Sequence, residues 1–172
     1  MNSKTSFVLA SVLIALAALS RLIPHPMNFA PITAIALFGG VYFNGKFSPI
    51  LPLAALFISD IFLGFYSGIV WVYGSVLLIV GIGLVIRRYK TVPVVFGATM
   101  AGSLLFFLIT NFGVWQAGMF YTKDFTGLVE CYTAAIPFYR NSMMGDLFYV
   151  AVMFGVYELV MKYLPKLQST KA

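Results

Sequence analysis

The sequence predicts an all-α fold, a polytopic integral membrane protein with about six transmembrane helices. Hydrophobic residues make up 61% of the chain and charged residues only 9%, whereas an ordinary soluble domain has about 25% charged residues. The mean hydropathy is +0.96. Apolar runs recur along the chain at close to the roughly 20 residues that a helix needs to cross the hydrocarbon core. The 172 residues have room for about six such runs in one transmembrane domain, residues 1–172.

Six apolar segments are predicted to cross the membrane, because a helix satisfies its own backbone hydrogen bonds there. They cover about residues 7–23, 32–46, 49–66, 69–86, 94–115 and 142–164. The first begins after Lys4 and contains small residues near Ser20, a pattern that also fits a cleavable signal peptide. The apolar run continues past Ser20, which favours a retained span.

Local signals separate the later spans. Residues 44–46 predict a tight turn after the second span, because Asn and Gly tolerate left-handed backbone. The third ends before residues 67–68, and the fourth carries no charge until the basic cluster at residues 87–90. The fifth has small residues suited to close packing and then carries Thr110 and Asn111 in its later half.

A further helix is predicted between the fifth and the last span. From residue 124 to 136 the apolar side chains recur at helical spacing, with Asp124 suited to the helix start and Pro137 to its end. This pattern favours a short amphipathic helix lying at the membrane interface.

The positive charges predict the orientation. With six spans both termini lie on one side, and the basic residues are divided eight to three between the two sides. The eight on the side of the termini are Lys4, Lys46, Arg87, Arg88, Lys90, Lys162, Lys166 and Lys171, and the other three are Arg21, Lys123 and Arg140. By the positive-inside rule we expect cytoplasmic termini in a bacterial cytoplasmic (inner) membrane. The net charge of +6 then reflects topology, and no nucleic-acid partner is expected.

This orientation gathers polar residues from several segments near the outer side. The connection at residues 21–31 holds an arginine, the only histidine, an asparagine and three prolines in an otherwise apolar region. Polar groups that converge among apolar walls are typical of a small-molecule pocket. The predicted ligand-binding residues are Arg21, His25, Asn28, Asp60, Asn111, Trp115, Arg140 and Asp146.

Seven of these eight residues also have a structural interpretation. Asp60 and Asp146 could neutralise Arg21 and Arg140 in ion pairs, and His25 could be a hydrogen-bonding or capping group. The tryptophan in the set could belong to an interfacial aromatic belt, and the asparagine in the fifth span could bridge helices.

The chain resembles the substrate-binding S-components of energy-coupling factor (ECF) transporters, or a related family of small bacterial six-helix membrane proteins. Small residues on the first helix at Ser11 and Ala15, the stretch at residues 136–138 and the stretch at 144–146 carry the first likeness. The pair formed by residues 21–29 and 56–60 carries the second.

The resemblance implies a protein that captures a vitamin-like molecule in an outward-facing pocket for uptake. It implies a gate and a lid formed by Pro24, Pro26, Phe29, Phe120, Tyr132 and Tyr139. It also implies docking of the first helix on an ECF transmembrane subunit with paired ATPases, although Ser11 replaces an alanine of the usual docking motif. Within this interpretation His25 could ligate the cobalt of a corrinoid, which makes cobalamin the leading substrate. No cofactor of the protein itself is expected.

Two other classes compete with transport. A non-catalytic accessory subunit of a larger membrane complex would explain the small-residue helix faces but not the polar cluster. An intramembrane enzyme would need a nucleophile and an activating base, and only Ser59, Asp60 and His25 could be drawn as such a triad. We therefore expect a protein that is not an enzyme.

Overall fold

The computed structural model describes the backbone of residues 3–169 and the side chains of residues 4–163. The described chain is all-helical, as predicted, with six helices. They are α1 (Ser3–Ser20), α2 (Ile32–Tyr42), α3 (Phe47–Leu63), α4 (Ile69–Ile86), α5 (Val92–Ala117) and α6 (Phe125–Ser169). The fourth predicted span coincides with α4. The side chains of Lys166 and Lys171, two of the charges used to predict orientation, lie outside the described residues.

Five helices form a ring around α2. In the order α1, α3, α4, α5 and α6 each helix contacts the next, and α6 closes the ring on α1. All five also contact α2. The core of the protein is therefore centred on α2.

The central helix is short and fully enclosed. It has 11 residues, and Thr33 to Val41 are all buried. At 1.5 Å per residue it is about 16 Å long, roughly half the thickness of a hydrocarbon core. A helix that is apolar all round, like this one, is stable where protein covers every face. The predicted second span at residues 32–46 is thus a buried half-length helix.

Glycines allow α2 to approach its neighbours closely. A methyl group added to Gly40 would collide with the backbone of Val80 and Gly83 on α4, and one added to Gly39 would collide with Pro52 on α3. Gly40 therefore lies in direct contact with the backbone of α4. Backbone-to-backbone packing of this kind is the usual use of small residues between apolar helices.

Arg87 covers the C-terminal end of α2. Its guanidinium donates to the carbonyl oxygen of Gly40 at 2.9 Å, to the carbonyl of Phe43, and to Asn44 Oδ1 at 3.0 Å. The last carbonyls of a helix have no partner within the helix, and a cation there also matches the negative end of the helix dipole. We call this end of the bundle the Arg87 end and the opposite end the Arg21 end.

The last helix corrects a prediction. Residues 124–136 and 142–164 do not form two separate helices, because α6 runs unbroken from Phe125 to Ser169 and Pro137 does not end it. Asp124 does mark its start: Oδ1 accepts a hydrogen bond from the backbone N–H of Gly127 at 2.7 Å. At 45 residues α6 is about 67 Å long.

Packing explains why α6 continues through its proline. Proline in a helix costs about 3 kcal/mol because it removes a backbone hydrogen bond. The side chains that α6 turns towards its neighbours nevertheless recur every three or four residues on both sides of residue 137. They are Cys131, Ala135, Tyr139, Ser142, Asp146, Val150, Met153 and Tyr157. One continuous helix keeps all of them on the same face, which offsets the local cost.

Three helices are long and apolar enough to cross a membrane, namely α4, α5 and the stretch Phe125–Tyr163 of α6. In the apolar 18-residue stretch of each helix, only 28 to 33% is buried inside the protein. Their outer faces therefore present a broad apolar surface, far larger than an ordinary soluble monomer exposes.

Candidate functional site

The polar residues at the Arg21 end form two separate groups in the structure. One surrounds Arg21 between α1, α3 and α4. The other lines a cavity between the connection at residues 21–31, α5 and α6. The sequence had predicted a single convergent cluster, but only four of its eight members belong to these groups: Arg21 and Asp60 to the first, Asn28 and Asn111 to the second.

The first group, the Arg21 cluster, consists of Arg21, Ser59, Asp60 and Tyr73. Arg21 Nη2 lies 2.7 Å from Asp60 Oδ1, and the two side chains are only 7% and 1% exposed. Nη1 donates to the Ser59 hydroxyl and to the carbonyl of Leu56. The Tyr73 hydroxyl donates to Asp60 Oδ2 at 2.9 Å. Both charges are thus neutralised and hydrogen-bonded, the arrangement that buried ions require.

The second group lines what we call the Ser103 cavity, which has a volume of about 170 Å³. Residues of α5 form one wall, residues of α6 form the other, and Asn28 of the connection closes one side. The lining residues are Asn28, Ser103, Phe106, Phe107, Thr110, Asn111, Ala135, Phe138, Tyr139 and Ser142. Aromatic rings and short polar side chains therefore share a single small space.

The connection is held over this cavity by contacts with α6. The ring of Phe29 packs against Phe148 and Tyr149, with centroids 5.8 Å apart in each case. A methyl group on Gly145 would lie 3.1 Å from the Phe29 Cα, closer than most such contacts, so glycine favours this approach. Asn28 has a φ of 61°, a left-handed conformation that asparagine tolerates better than most residues.

Two polar side chains of the cavity, Thr110 and Asn111, keep free acceptor atoms. Thr110 Oγ1 donates to the carbonyl of Phe106, and Asn111 Nδ2 donates to the carbonyl of Phe107, both at 2.8 Å. Because a carbonyl only accepts, the Thr110 hydroxyl and one N–H of Asn111 donate within α5, and the lone pairs of Thr110 Oγ1 and Asn111 Oδ1 remain for another partner. The Ser103 hydroxyl is buried and has no hydrogen-bond partner.

Asp146 lies behind Ser103 and is 4% exposed. The hydroxyl groups of Ser103 and Thr33 face its carboxyl group, although Ser103 Oγ does not reach good hydrogen-bond geometry. No described Lys, Arg or His side chain forms an ion pair with Asp146. Asp146 thus differs from Asp60, because its carboxyl group is buried without a cation.

Two predicted ligand-binding residues lie apart from both groups. His25 is exposed on the connection, and its Nδ1 lies 3.0 Å from the carbonyl oxygen of Pro26. Arg140 is exposed on α6 and forms no ion pair with Asp146. Of the two alternative ion pairs suggested by the sequence, the structure therefore forms Arg21 with Asp60 and does not form Arg140 with Asp146.

The remaining predicted site residues have varied surroundings. Trp115 Nε1 donates to the carbonyl of Thr122 at 2.9 Å and so closes the α5–α6 loop. Tyr132 donates its hydroxyl to the carbonyl of Leu108 at 2.6 Å. Tyr139 packs on Phe107 with ring centroids 4.7 Å apart. The other proposed gate and lid residues, Pro24, Pro26 and Phe120, are exposed.

The structure offers no assembled catalytic or metal centre among the described residues. Ser59 and Asp60 are bonded to Arg21, whereas His25 contacts its own neighbour on the connection. The described His, Cys, Asp and Glu side chains contain no group of three or more that could hold a metal ion.

Sequence reasoning missed Ser103 as a site residue and treated it as a small packing residue. Ser103, Thr110 and Asn111 are spaced at i, i+7 and i+8, which places them on one face of a helix. That spacing was the available signal. Thr33 gave no comparable signal because it is the only polar residue of α2.

Comparison with known proteins identifies the family but not the function. The chain belongs to a family of unknown function (DUF6580), which it matches over residues 1–167. No match was found among curated proteins or among solved structures.

Proposed function

We propose that this member of the DUF6580 family is a multi-pass protein of the bacterial cytoplasmic membrane that captures a small molecule for uptake. The ligand enters from the outer side and binds in the Ser103 cavity. The observation that carries this proposal is the cavity itself, in which a buried hydroxyl without a partner, free acceptor atoms and aromatic rings surround one small space.

The apolar surface supports the membrane location. In the apolar 18-residue stretches of α4 and α5 only 28% is buried inside the protein. Most of their apolar side chains are therefore exposed and are stable only in an apolar solvent such as lipid. The short α2 lies inside a ring of helices, where its backbone ends meet protein and not lipid. The basic residues Arg87, Arg88 and Lys90 lie at the Arg87 end, which under the positive-inside rule is cytoplasmic. The Ser103 cavity then lies towards the outer side.

The cavity volume bears on the substrate. Ligand pockets for drug-sized molecules measure about 300–1,000 Å³, and the Ser103 cavity holds about 170 Å³. A corrinoid is far larger than this space, and His25 is not among the residues that line it. A small polar organic molecule fits this conformation, whereas cobalamin uptake would require the connection and α6 to separate.

Binding and not catalysis is the proposed activity. His25, the only histidine, is exposed. Ser59 and Asp60, which together with His25 could be drawn as a triad, are hydrogen-bonded to Arg21 instead. A nucleophile needs an activating base, and none of the residues that line the cavity is a histidine, lysine, aspartate or glutamate.

A second candidate function is favoured by a groove between α1 and α3. It is apolar, measures about 300 Å³, and is lined by small residues that include Ser11, Ala15, Ala18, Ala54 and Ala55. Small residues let a partner helix approach closely. A non-catalytic accessory subunit would bind a membrane partner here, and the resemblance to S-components would assign the same groove to an ECF transmembrane subunit with paired ATPases.

The experiment that separates the two functions measures the uptake of every detectable compound in the growth medium. Cells that produce the wild type are grown in rich medium beside cells that produce Ala135→Trp, which fills the cavity, and the medium is followed by untargeted mass spectrometry. The matched control is Ala134→Trp, because Ala134 is exposed on the same helix. Capture for uptake predicts that one compound is depleted faster by the wild type and the control than by Ala135→Trp. Equal depletion of every compound would favour the accessory subunit.

A further inference from the structure

We infer that the Ser103 cavity selects a small organic cation, a protonated amine. This inference rests on the proposed function and specifies its substrate class. Its starting point is Asp146, which is 4% exposed and has no cationic partner among the described side chains. Buried carboxylates are normally paired with a cation or a metal. An ammonium group bound beside Ser103 places a cation one hydroxyl group away from this carboxyl group.

The position of Asp146 connects it to the cavity through Ser103. The Ser103 hydroxyl is 2% exposed, lines the cavity and faces the carboxyl group of Asp146. It has no hydrogen-bond partner of its own. A hydroxyl can accept from an ammonium N–H and donate to a carboxylate together. Ser103 is therefore placed to hydrogen-bond both to the ammonium group of the ligand and to the carboxyl group of Asp146.

The other polar atoms of the cavity suit the same ligand. The Thr110 hydroxyl and one N–H of Asn111 donate to carbonyl groups of α5, which leaves acceptor lone pairs at both side chains. An ammonium group has three N–H donors and no acceptor, so these acceptor atoms complement it.

The aromatic walls add a second attraction for cations. Phe106, Phe107, Phe138 and Tyr139 line the cavity, and the face of an aromatic ring carries partial negative charge. Cation–π contact strengthens when water is excluded, as in a small partly buried space. Neutral molecules gain apolar burial from these rings but not this electrostatic term.

The two arginines that the sequence predicted as ligand-binding residues do not favour an anionic ligand in this cavity. Arg21 is neutralised by Asp60 in the Arg21 cluster, and Arg140 is exposed on α6. None of the residues that line the cavity is a lysine or an arginine. Two arginines would suit a carboxylate or a phosphate, but such a ligand would have no cationic side chain to bind in this cavity.

The cavity volume limits the size of the amine. An engineered protein cavity of about 150 Å³ binds benzene, so a cavity of 170 Å³ accommodates a ligand only slightly larger than benzene. Benzylamine, benzyl alcohol and benzoate form a suitable probe series, because they share one ring and differ chiefly in charge.

The experiment measures the affinity of each probe at pH 7 by calorimetry with the purified protein in mild detergent. Benzylamine is expected to bind at least about tenfold more tightly than benzyl alcohol, the lower end of what a charge-assisted hydrogen bond contributes, and benzoate to bind least. Asp146→Asn is expected to remove the preference for the amine and to leave the affinity for benzyl alcohol unchanged. Glu130→Gln makes the same change in charge at an exposed position of α6 and is expected to change nothing.

Two further variants keep the test decisive. If Asp146→Asn does not fold, Ser103→Ala replaces it and is expected to weaken benzylamine binding several-fold more than benzyl alcohol binding. Ala135→Trp is expected to abolish binding of every probe.

The outcomes distinguish the inference from the proposed function. Tighter binding of benzoate or benzyl alcohol, or an amine preference that survives Asp146→Asn, overturns the inference; if Ala135→Trp still blocks binding, the capture function stands. If no probe binds, the inference fails. The capture function fails as well if cells with Ala135→Trp deplete every compound of the growth medium as fast as cells with the wild type.

Discussion

The Arg21 cluster provides the sharpest test of how this fold is held together. Arg21 and Asp60 form an ion pair of 2.7 Å with side chains that are 7% and 1% exposed. Asp60→Asn keeps the size and the acceptor for Tyr73 but leaves a buried arginine without its counter-charge. Removal of one partner from a buried pair costs about 3–5 kcal/mol. For a chain of this size that corresponds to a fall in Tm of about 6–20 °C.

Thermal unfolding in mild detergent, followed by tryptophan fluorescence, measures this effect. Arg21→Met in combination with Asp60→Asn is expected to recover most of the loss, because the uncompensated charge is gone. Tyr73→Phe removes only one hydrogen bond to a charged group and is expected to cost about 1.5–3 kcal/mol. The double-mutant cycle isolates the pair energy from other effects.

A small effect would refute this reasoning. If Asp60→Asn unfolds within about 2 °C of the wild type, less than roughly 1 kcal/mol, then Arg21 does not depend on Asp60 for stability. A variant that stays stable but loses ligand binding would instead support the ligand-binding role predicted from the sequence.

Three further predictions follow from local geometry. Gly40→Ala is expected to cost about 1–3 kcal/mol because the added methyl meets packed backbone of α4. Gly81→Ala, in open space on α4, is expected to stabilise by about 0.5–1 kcal/mol, and thermal unfolding compares the two. In a cysteine-free background, Met27→Cys should react with an impermeant maleimide on intact cells and Arg88→Cys only after lysis; the opposite pattern would reverse the proposed topology. Hydrogen bonds from a backbone N–H and a neighbouring hydroxyl lower the pKa of Asp124, so its stabilisation of α6 is present above the unfolded pKa of about 3.9 and is lost as the pH falls through the folded value. The Tm difference between wild type and Asp124→Ala should therefore shrink in acid, and a difference that persists unchanged when the carboxyl group is fully protonated would contradict this cause.

The sequence predicted the helices better than their arrangement. The sequence predicted both ends of α4, because residues 67–68 precede its apolar run and the basic cluster at residues 87–90 follows it. The central position of α2 depends on five other helices, which no local pattern records. Its apolar residues on every face of the helix were nevertheless an available signal for a buried helix.

Pro137 shows how tertiary packing overrides a local rule. Read alone, this proline predicts the end of a helix. The residues that pack on α5 and α2 keep their spacing from Cys131 to Tyr157, and that periodicity extends across the proline. A longer sequence window would have favoured one helix.

The candidate site could be predicted only in part from the sequence. The polar residues of the spans do gather at one end, but sequence does not show which of them neutralise each other. Arg21 and Asp60 satisfy one another across α1 and α3, whereas Asp146 faces hydroxyl groups and no cation. Only the three-dimensional neighbours distinguish these two aspartates.

The most direct test of the central claim is the small-molecule content of the purified protein. Wild type, Ala135→Trp and Ala134→Trp are purified in mild detergent from cells grown in rich medium, denatured, and analysed by mass spectrometry for released compounds. Capture in the Ser103 cavity predicts one small compound at close to stoichiometric amount in the wild type and in Ala134→Trp, and none in Ala135→Trp. The same compound at equal amount in all three proteins, or no compound in any of them, would contradict the claim.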